Sequence, residues 1–341
     1  MRFRRTWLIL VLCLPPSPGY AAENFPGVAW ESVASGSARW SSEKLAEAET
    51  WSKQLGPTTA MIVQHGLVIA QWGDTTAKKP LASVRKSLLS ALIGIAVERG
   101  QINLDARIGE LGIDDNAPSL SAEEKTATVR DLLEARSGIY HPALYETHLM
   151  AARRPPRFSH KPGTFWYYNN WDFNALGAIY EHAQESSVYD AFEREIARPI
   201  GMQDYRPSDG AYVTGAASVY PAYTFMMTAR DLARFALLYL NGGKWRDRQI
   251  VPKEWVEAST RAYSQSDSGL GYGYLWWTPP AAQLPQGTFF AAGASGKYAF
   301  VVPARDLVVI YFAAHSPESG PGLEEIGRLL QLVLGAAPAQ P

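Results

Sequence analysis

Runs of strand length and strand composition stand at both ends of this chain and are missing from its middle, and this distribution restricts the fold more than any other feature. Towards the N-terminal end, residues 58–64 (TTAMIVQ) and 67–72 (LVIAQW) flank His65-Gly66, two apolar-rich runs about a two-residue turn, which is a hairpin signal. Towards the C-terminal end, residues 270–277 (LGYGYLWW), 287–302 (GTFFAAGASGKYAFVV) and 307–315 (LVVIYFAAH) alternate or run apolar over strand lengths. Pro303-Ala304-Arg305-Asp306 supplies a turn between the last two. Helical periodicity fills much of the rest: 41–55, 81–100, 228–243 ending in Asn241-Gly242-Gly243, and an amphipathic 322–334. Residues 105–205 carry only short helical segments, 128–136 and 171–183, between loops rich in Pro, Gly and aromatics. The expected fold is α+β: an antiparallel sheet flanked by helices, with an inserted, mostly helical domain. The expected boundaries are a discontinuous sheet domain of 23–104 and 206–341 and an insertion of 105–205. No period of 20–50 residues is present, which argues against a repeat architecture.

The first 22 residues read as a secretory signal peptide: Arg2, Arg4 and Arg5, then an apolar run from Thr6 to Leu14, then a small-residue region ending at Ala21-Ala22. The run is too short to span a bilayer, which needs roughly 20 apolar residues, so the expectation is export to the periplasm or medium without a membrane anchor. Cys13, the one cysteine in the sequence, lies in this leader. The residues before it, Leu10-Val11-Leu12, are not the small ones expected ahead of a lipidated cysteine. Cleavage would leave no disulfide, thiolate nucleophile or cysteine-ligated metal. The chain carries 32 basic and 33 acidic side chains, so no basic footprint for nucleic acid stands out and a small molecule is the expected partner. Oligomeric state is not legible.

Chemistry concentrates in three places. Ser83-Val84-Arg85-Lys86 opens the most apolar helical run. A three-residue spacing on a helix makes Ser83 and Lys86 neighbours, close enough for an amine to take the serine proton. Lysine has a reference pKa of about 10.4 and acts as a base only when burial or a second cation lowers it. Ser41-Ser42-Glu43-Lys44 has the same spacing but opens a charged, surface-like helix, and there Ser41 reads as a cap. The second place is 162–170 (PGTFWYYNN), where Tyr168 and Asn170, one residue apart in an extended loop, would project to one side. Nearby aromatics, Phe165, Trp166, Trp171, Trp276 and Trp277, are core or loop anchors that also suit the wall of an acyl pocket. The third is Ala291-Ala292-Gly293-Ala294-Ser295-Gly296-Lys297, small residues leading into a strand, where a substrate can lie against backbone N–H groups. The six histidines, His65, His141, His148, His160, His182 and His315, show no metal-ligand spacing and read as surface or loop residues. No cofactor or metal is expected, and no GxSxG elbow, P-loop or GxGxxG fingerprint is present.

The order of these elements resembles the serine β-lactamase and penicillin-binding-protein superfamily, in the branch of class C β-lactamases, DD-peptidases, β-lactamase-like esterases and aminohexanoate-oligomer hydrolases. The resemblance spans roughly residues 50–335 and takes in the stretches 128–139, 162–177, 198–202 and 228–243 as well. It implies a β-lactamase/transpeptidase-like fold, Ser83 as acylated nucleophile, Lys86 as its base partner and Tyr168 as proton shuttle. It also implies Asn170 as the substrate-orienting amide, with Gly293 and Ala294 on the edge strand and an oxyanion hole from the N–H groups of Ser83 and Ala294. Where relatives carry Lys or His two residues before the glycine, this chain has Ala291, and by the same alignment Lys297, beyond the glycine, does not replace it. The resulting expectation is an exported serine hydrolase cleaving an ester or amide. A β-lactamase or DD-peptidase and a catalytically silent peptidoglycan- or partner-binding relative remain as alternatives.

Overall fold

The computed structural model describes residues 24–280, 283–313 and 320–339. The expected leader, with Cys13, and His315 lie outside them. Strands β1 (Thr58–Gln64) and β2 (Leu67–Trp72) form the hairpin, and His65 and Gly66 both take positive φ, 52° and 72°. A two-residue turn that matches the strand twist needs that combination. Gly66 also lies against Asn24, where an added Cβ would stand 1.7 Å from the carbonyl oxygen, so glycine is required on two counts.

Six further strands complete the sheet: β3 (Ser264–Gln265), β4 (Gly271–Tyr272), β5 (Trp277–Thr278), β6 (Phe289–Gly293), β7 (Lys297–Val302) and β8 (Leu307–Ala313). The order is β2-β1-β8-β7-β6-β5-β4-β3, antiparallel throughout. The two ends of the chain therefore meet where β1 pairs with β8. The run 270–277 is not one strand, contrary to its apolar pattern. Tyr274 and Leu275 leave the ladder, Leu275 at φ 65°, and their carbonyls accept the hydroxyls of Ser90 and Ser87 instead. A helix outcompetes the neighbouring strand for those acceptors.

That helix is α2 (Arg85–Glu98), buried along its whole length from Arg85 to Ala96. It packs on one face of the sheet with α4 (Ala229–Leu240), while α1 (Ser42–Gln54) and α5 (Leu323–Ala336) cover the other. Burial on both faces shows in β8, where Val308, Ile310 and Phe312 point to the α2/α4 side and Leu307, Val309 and Tyr311 to the α1/α5 side. This explains its unbroken apolar run. Full burial of side chains such as Leu88 and Leu92 contributes roughly 1.5–3 kcal/mol each. Ser41 caps α1 by accepting the Lys44 N–H at 3.3 Å, which is the structural role its spacing suggested.

No named strand falls between 105 and 205 among the described residues; that stretch holds α3 (Asn170–Gln184) and the short helices Val129–Leu133, His148–Arg153 and Val188–Phe192. Leu132, Trp171 and Phe173 from this stretch share one apolar cluster with Val301 and Ile310 of the sheet. The α+β architecture, an antiparallel sheet flanked by helices, is the expected one. No helix among the described residues is long and apolar enough to cross a membrane.

Candidate active site

Ser83 lies in the 3-10 turn Ala82–Val84 that leads directly into α2. The turn is held at its start by the Leu81 N–H, which donates to the Phe225 carbonyl, and Ala82 takes the strained φ of 49°. One turn on, the Lys86 ammonium donates to Ser83 Oγ at 2.8 Å and to Tyr168 Oη at 2.7 Å. Three residues separated by up to 85 positions in the chain thus meet at one nitrogen.

The surroundings of that nitrogen decide its chemistry. Nζ stands 4.3 Å from the Tyr168 ring centroid and 4.6 Å from that of Phe173, and Tyr168 in turn contacts Tyr272 and stacks on Trp277. Burial among these rings holds the Lys86 pKa well below that of a free lysine, and the adjacent Arg85 charge pushes it the same way. Arg85 is itself buried. Its guanidinium lies over the Tyr223 ring at 4.3 Å and donates to Asn174 Oδ1 at 3.4 Å, with no carboxylate partner among the described residues. Burial lifts Tyr168 to about 12, so its phenol keeps its proton at neutral pH.

Across the nucleophile runs β6. An added Cβ on Gly293 would stand 2.5 Å from the Leu81 carbonyl oxygen and 3.0 Å from the Ser83 nitrogen, so only glycine lets the strand end lie against the nucleophile's backbone. Ala294 follows directly. A cavity of about 350 Å³ opens in front of this pair, lined by Ser83, Asn170, Ala294, Ser295 and Lys297 among others.

One expectation about position needs correction. Asn170 is not in an extended loop. Asn169 caps α3 by accepting the Trp171 N–H, and this makes Asn170 the first residue of the helix. It still lines the cavity, with its amide given to the Tyr145 carbonyl at 2.6 Å. Lys297 lies beyond the glycine in the linear alignment, and the tight turn through Ser295 and Gly296 (φ 62° and 70°) brings it back opposite Gly293 in register. It therefore faces the same cavity, whereas Ala291 is only 1% exposed within the apolar cluster.

The aromatics expected to suit the wall of an acyl pocket do not line this cavity. Pro80, Tyr145 and Met150 line it, while Trp171 and Trp276 are core, Phe165 stacks on His160, and Trp166 and Trp277 pack around Tyr168's ring system. No periodic signal marked Tyr145 or Met150, since both belong to the loop and short helix of 143–153. Among the histidines, His141 lies in a loop, as expected, and is buried there 3.9 Å from Glu124. Among the described residues no cluster of His, Cys, Asp and Glu is suited to hold a metal ion.

This arrangement can be set beside known proteins. The Beta-lactamase family model matches residues 52–333. The chain belongs to the Beta-lactamase family. An uncharacterized protein of Alkalihalophilus pseudofirmus is 23% identical over 67% of this chain and 71% of its own length. A Bacillus anthracis structure provisionally assigned as a 6-aminohexanoate-dimer hydrolase superposes with a TM-score of 0.65 at 20% identity, covering 90% of this chain and 86% of that one. EstCE1, a hydrolase with promiscuous acyltransferase activity, gives 0.60 at 17% identity over 86% and 98%. At these identities the likeness to solved structures is one of fold, and the chemistry has to be argued from this member's own residues.

Proposed function

We propose that this Beta-lactamase family member is a serine hydrolase that cleaves an ester or amide through an acyl-enzyme on Ser83, acting outside the cytoplasm after removal of the basic and apolar leader. The observation that carries the reading is the single buried amine within hydrogen-bond distance of both Ser83 Oγ and Tyr168 Oη. A depressed pKa leaves that amine free to accept a proton, which is what the hydroxyl needs to become a nucleophile.

In the proposed cycle Ser83 Oγ attacks the carbonyl carbon and its proton passes to Lys86. The carbonyl oxygen gains the negative charge and is held by the N–H groups of Ser83 and Ala294. As the C–O or C–N bond breaks, the proton travels through Tyr168 to the leaving alcohol or amine. Water then adds to the acyl carbon, loses a proton to the same pair, and Ser83 Oγ departs with it. Asn170 lines the space in front of the nucleophile and orients the substrate there. The hydrolase named among the fold neighbours and the family membership support this class of reaction.

Intact-mass measurement after treatment with a fluorophosphonate tests it. One adduct is expected on the wild type and none on Ser83→Ala, which also loses hydrolysis of a short-chain nitrophenyl ester. An unlabelled wild-type protein, or a labelled alanine variant, overturns the nucleophile assignment.

A further inference from the structure

We propose that the cleft between the start of α4, the segment 198–203 and the turn at Arg246-Asp247 binds a soluble phosphate-bearing oligoanion through its arginines. The cleft encloses about 870 Å³ and shares no lining residue with the cavity at Ser83, so the site stands apart from the ester or amide chemistry. Its volume falls within the roughly 300–1,000 Å³ of small-molecule sites, which suits a ligand of several groups better than a lone ion. Among the described residues five arginines line it, Arg198, Arg230, Arg234, Arg246 and Arg248, against one acid, Asp247. The whole sequence carries 32 basic and 33 acidic side chains, so this concentration of one sign is local.

Which of these charges a ligand can use follows from their partners. Arg230 forks onto Asp204, at 2.6 and 2.5 Å, and Arg198 reaches Glu193 at 3.4 Å. Among the described residues no carboxylate pairs with Arg234, Arg246 or Arg248. Arg234 is 1% exposed. Its guanidinium donates to the carbonyls of Ile200, at 3.0 Å, and Gly27, at 2.7 Å, while its Nε finds no acceptor among the described residues. Neutral dipoles therefore hold it. Burial lowers its pKa, Asp231 opposes that shift, and Arg230 and Arg246 reinforce it. The guanidinium nevertheless stays charged, and a charge buried without an ion-pair partner is costly unless something compensates it. Three unpaired guanidiniums less the one carboxylate of Asp247 leave two positive charges over at the cleft.

The arginines arrive from two directions. Arg230 and Arg234, four apart on α4, share a helix face, while Arg246 and Arg248 stand at the turn of the small hairpin that pairs Lys244–Trp245 with Arg248–Gln249. Both hairpin arginines are exposed, and Arg246 holds φ 55°, a conformation that glycine or asparagine adopts more easily. A guanidinium thus occupies a position where turn geometry alone favours a smaller residue. A carboxylate presents two oxygens in one plane and suits one fork. A phosphate group presents three terminal oxygens in a tetrahedral arrangement, and these accept from the helix and from the hairpin together. A concave site also fits a soluble ligand better than a lipid surface.

Titration calorimetry of the protein with inorganic tripolyphosphate tests this. Saturable binding is expected, weakening as salt rises from about 0.1 to 1 M and the screening length shrinks from about 10 to 3 Å. Citrate is expected to bind at least about tenfold more weakly, since it offers carboxylates alone. Arg246→Gln/Arg248→Gln is expected to lower the affinity for tripolyphosphate at least about tenfold, as for loss of charge-assisted bonds, with ester kcat/KM unchanged. Arg39→Gln/Arg107→Gln makes the same change of net charge on exposed arginines elsewhere and should leave the affinity alone. The proposal is overturned by absence of binding, by equal affinity for citrate, by full affinity in the Arg246/Arg248 variant or by an equal loss in both double variants. Capture of the protein by phosphatidylglycerol vesicles without binding of tripolyphosphate overturns it as well. Should the Arg246/Arg248 variant not fold, wild type alone decides: a ligand of the native state raises Tm, and a Tm unmoved by millimolar tripolyphosphate refutes the site. Failure of fluorophosphonate labelling at Ser83 would bring down the hydrolase reading and leave this inference standing.

Discussion

Gly293→Ala isolates the contact that joins the sheet edge to the nucleophile. The Cβ would stand 2.5 Å from the Leu81 carbonyl oxygen, against the 3.4 Å at which ordinary contact begins. Since both partners are backbone, β6 or the turn before Ser83 must give way by about 0.9 Å. Gly293 does not occupy the left-handed region, so the perturbation is steric. Oxyanion-hole donors act only when 2.7–3.1 Å from the developing charge, and losing one costs about 10²–10³ in kcat, or 2.7–4 kcal/mol. A displacement near 0.9 Å exceeds the roughly 0.5 Å tolerance of a productive site, so the full loss is expected. Overpacking costs typically 1–3 kcal/mol, which lowers Tm without unfolding a chain of this size. The assay is kcat and kcat/KM on a short-chain nitrophenyl ester together with the rate of fluorophosphonate inactivation, at a temperature where circular dichroism shows the variant folded. Retention of more than about a third of both rates would refute the reasoning.

Lys86→Ala and Tyr168→Phe should each lower turnover by roughly 10²–10⁴-fold, the usual contribution of general acid–base groups; near-normal rates in both would exclude the shared relay, and a burst experiment shows which step each slows. Because Lys86 must be neutral to accept the serine proton, wild-type kcat/KM on a neutral ester should rise as pH climbs through its lowered pKa, while Tyr168, raised to about 12, keeps its proton over that range. A profile flat on its acid side would contradict the assignment. Asp172 concerns stability. Burial raises its carboxyl well above 3.8, while its Oδ1 accepts from Ser137 and Asn169 and its Oδ2 has no partner. A raised carboxyl stabilises the fold fully below about 3.8 and loses that contribution as pH rises through its folded value. Asp172→Asn keeps the accepting oxygen, so its Tm relative to wild type should improve between pH 3 and 8; a constant difference would show the carboxylate ionises freely.

Residues whose partners are close in sequence were legible in it. His65-Gly66 announced a hairpin because a two-residue turn needs positive φ, and the Ser83–Lys86 contact follows from helical spacing. The apolar runs at both ends declared the sheet because each strand's burial is written in its own composition. What depended on packing across the chain was not legible. The register opposite Gly293 brings Lys297 to the cavity, whereas linear alignment placed it past the site. The run 270–277 breaks because the hydroxyls of Ser87 and Ser90, more than 180 residues away, take its carbonyls. Tyr145 and Met150 line the cavity from a loop segment, 141–156, whose conformation only packing sets. The need for a lowered Lys86 pKa was foreseeable; its causes, an aromatic enclosure from two distant regions of the chain and a buried Arg85 beside it, arise only once those regions pack. Local periodicity records which way a residue faces, but a site's electrostatics come from desolvation and non-local charge, and those exist only in the folded chain.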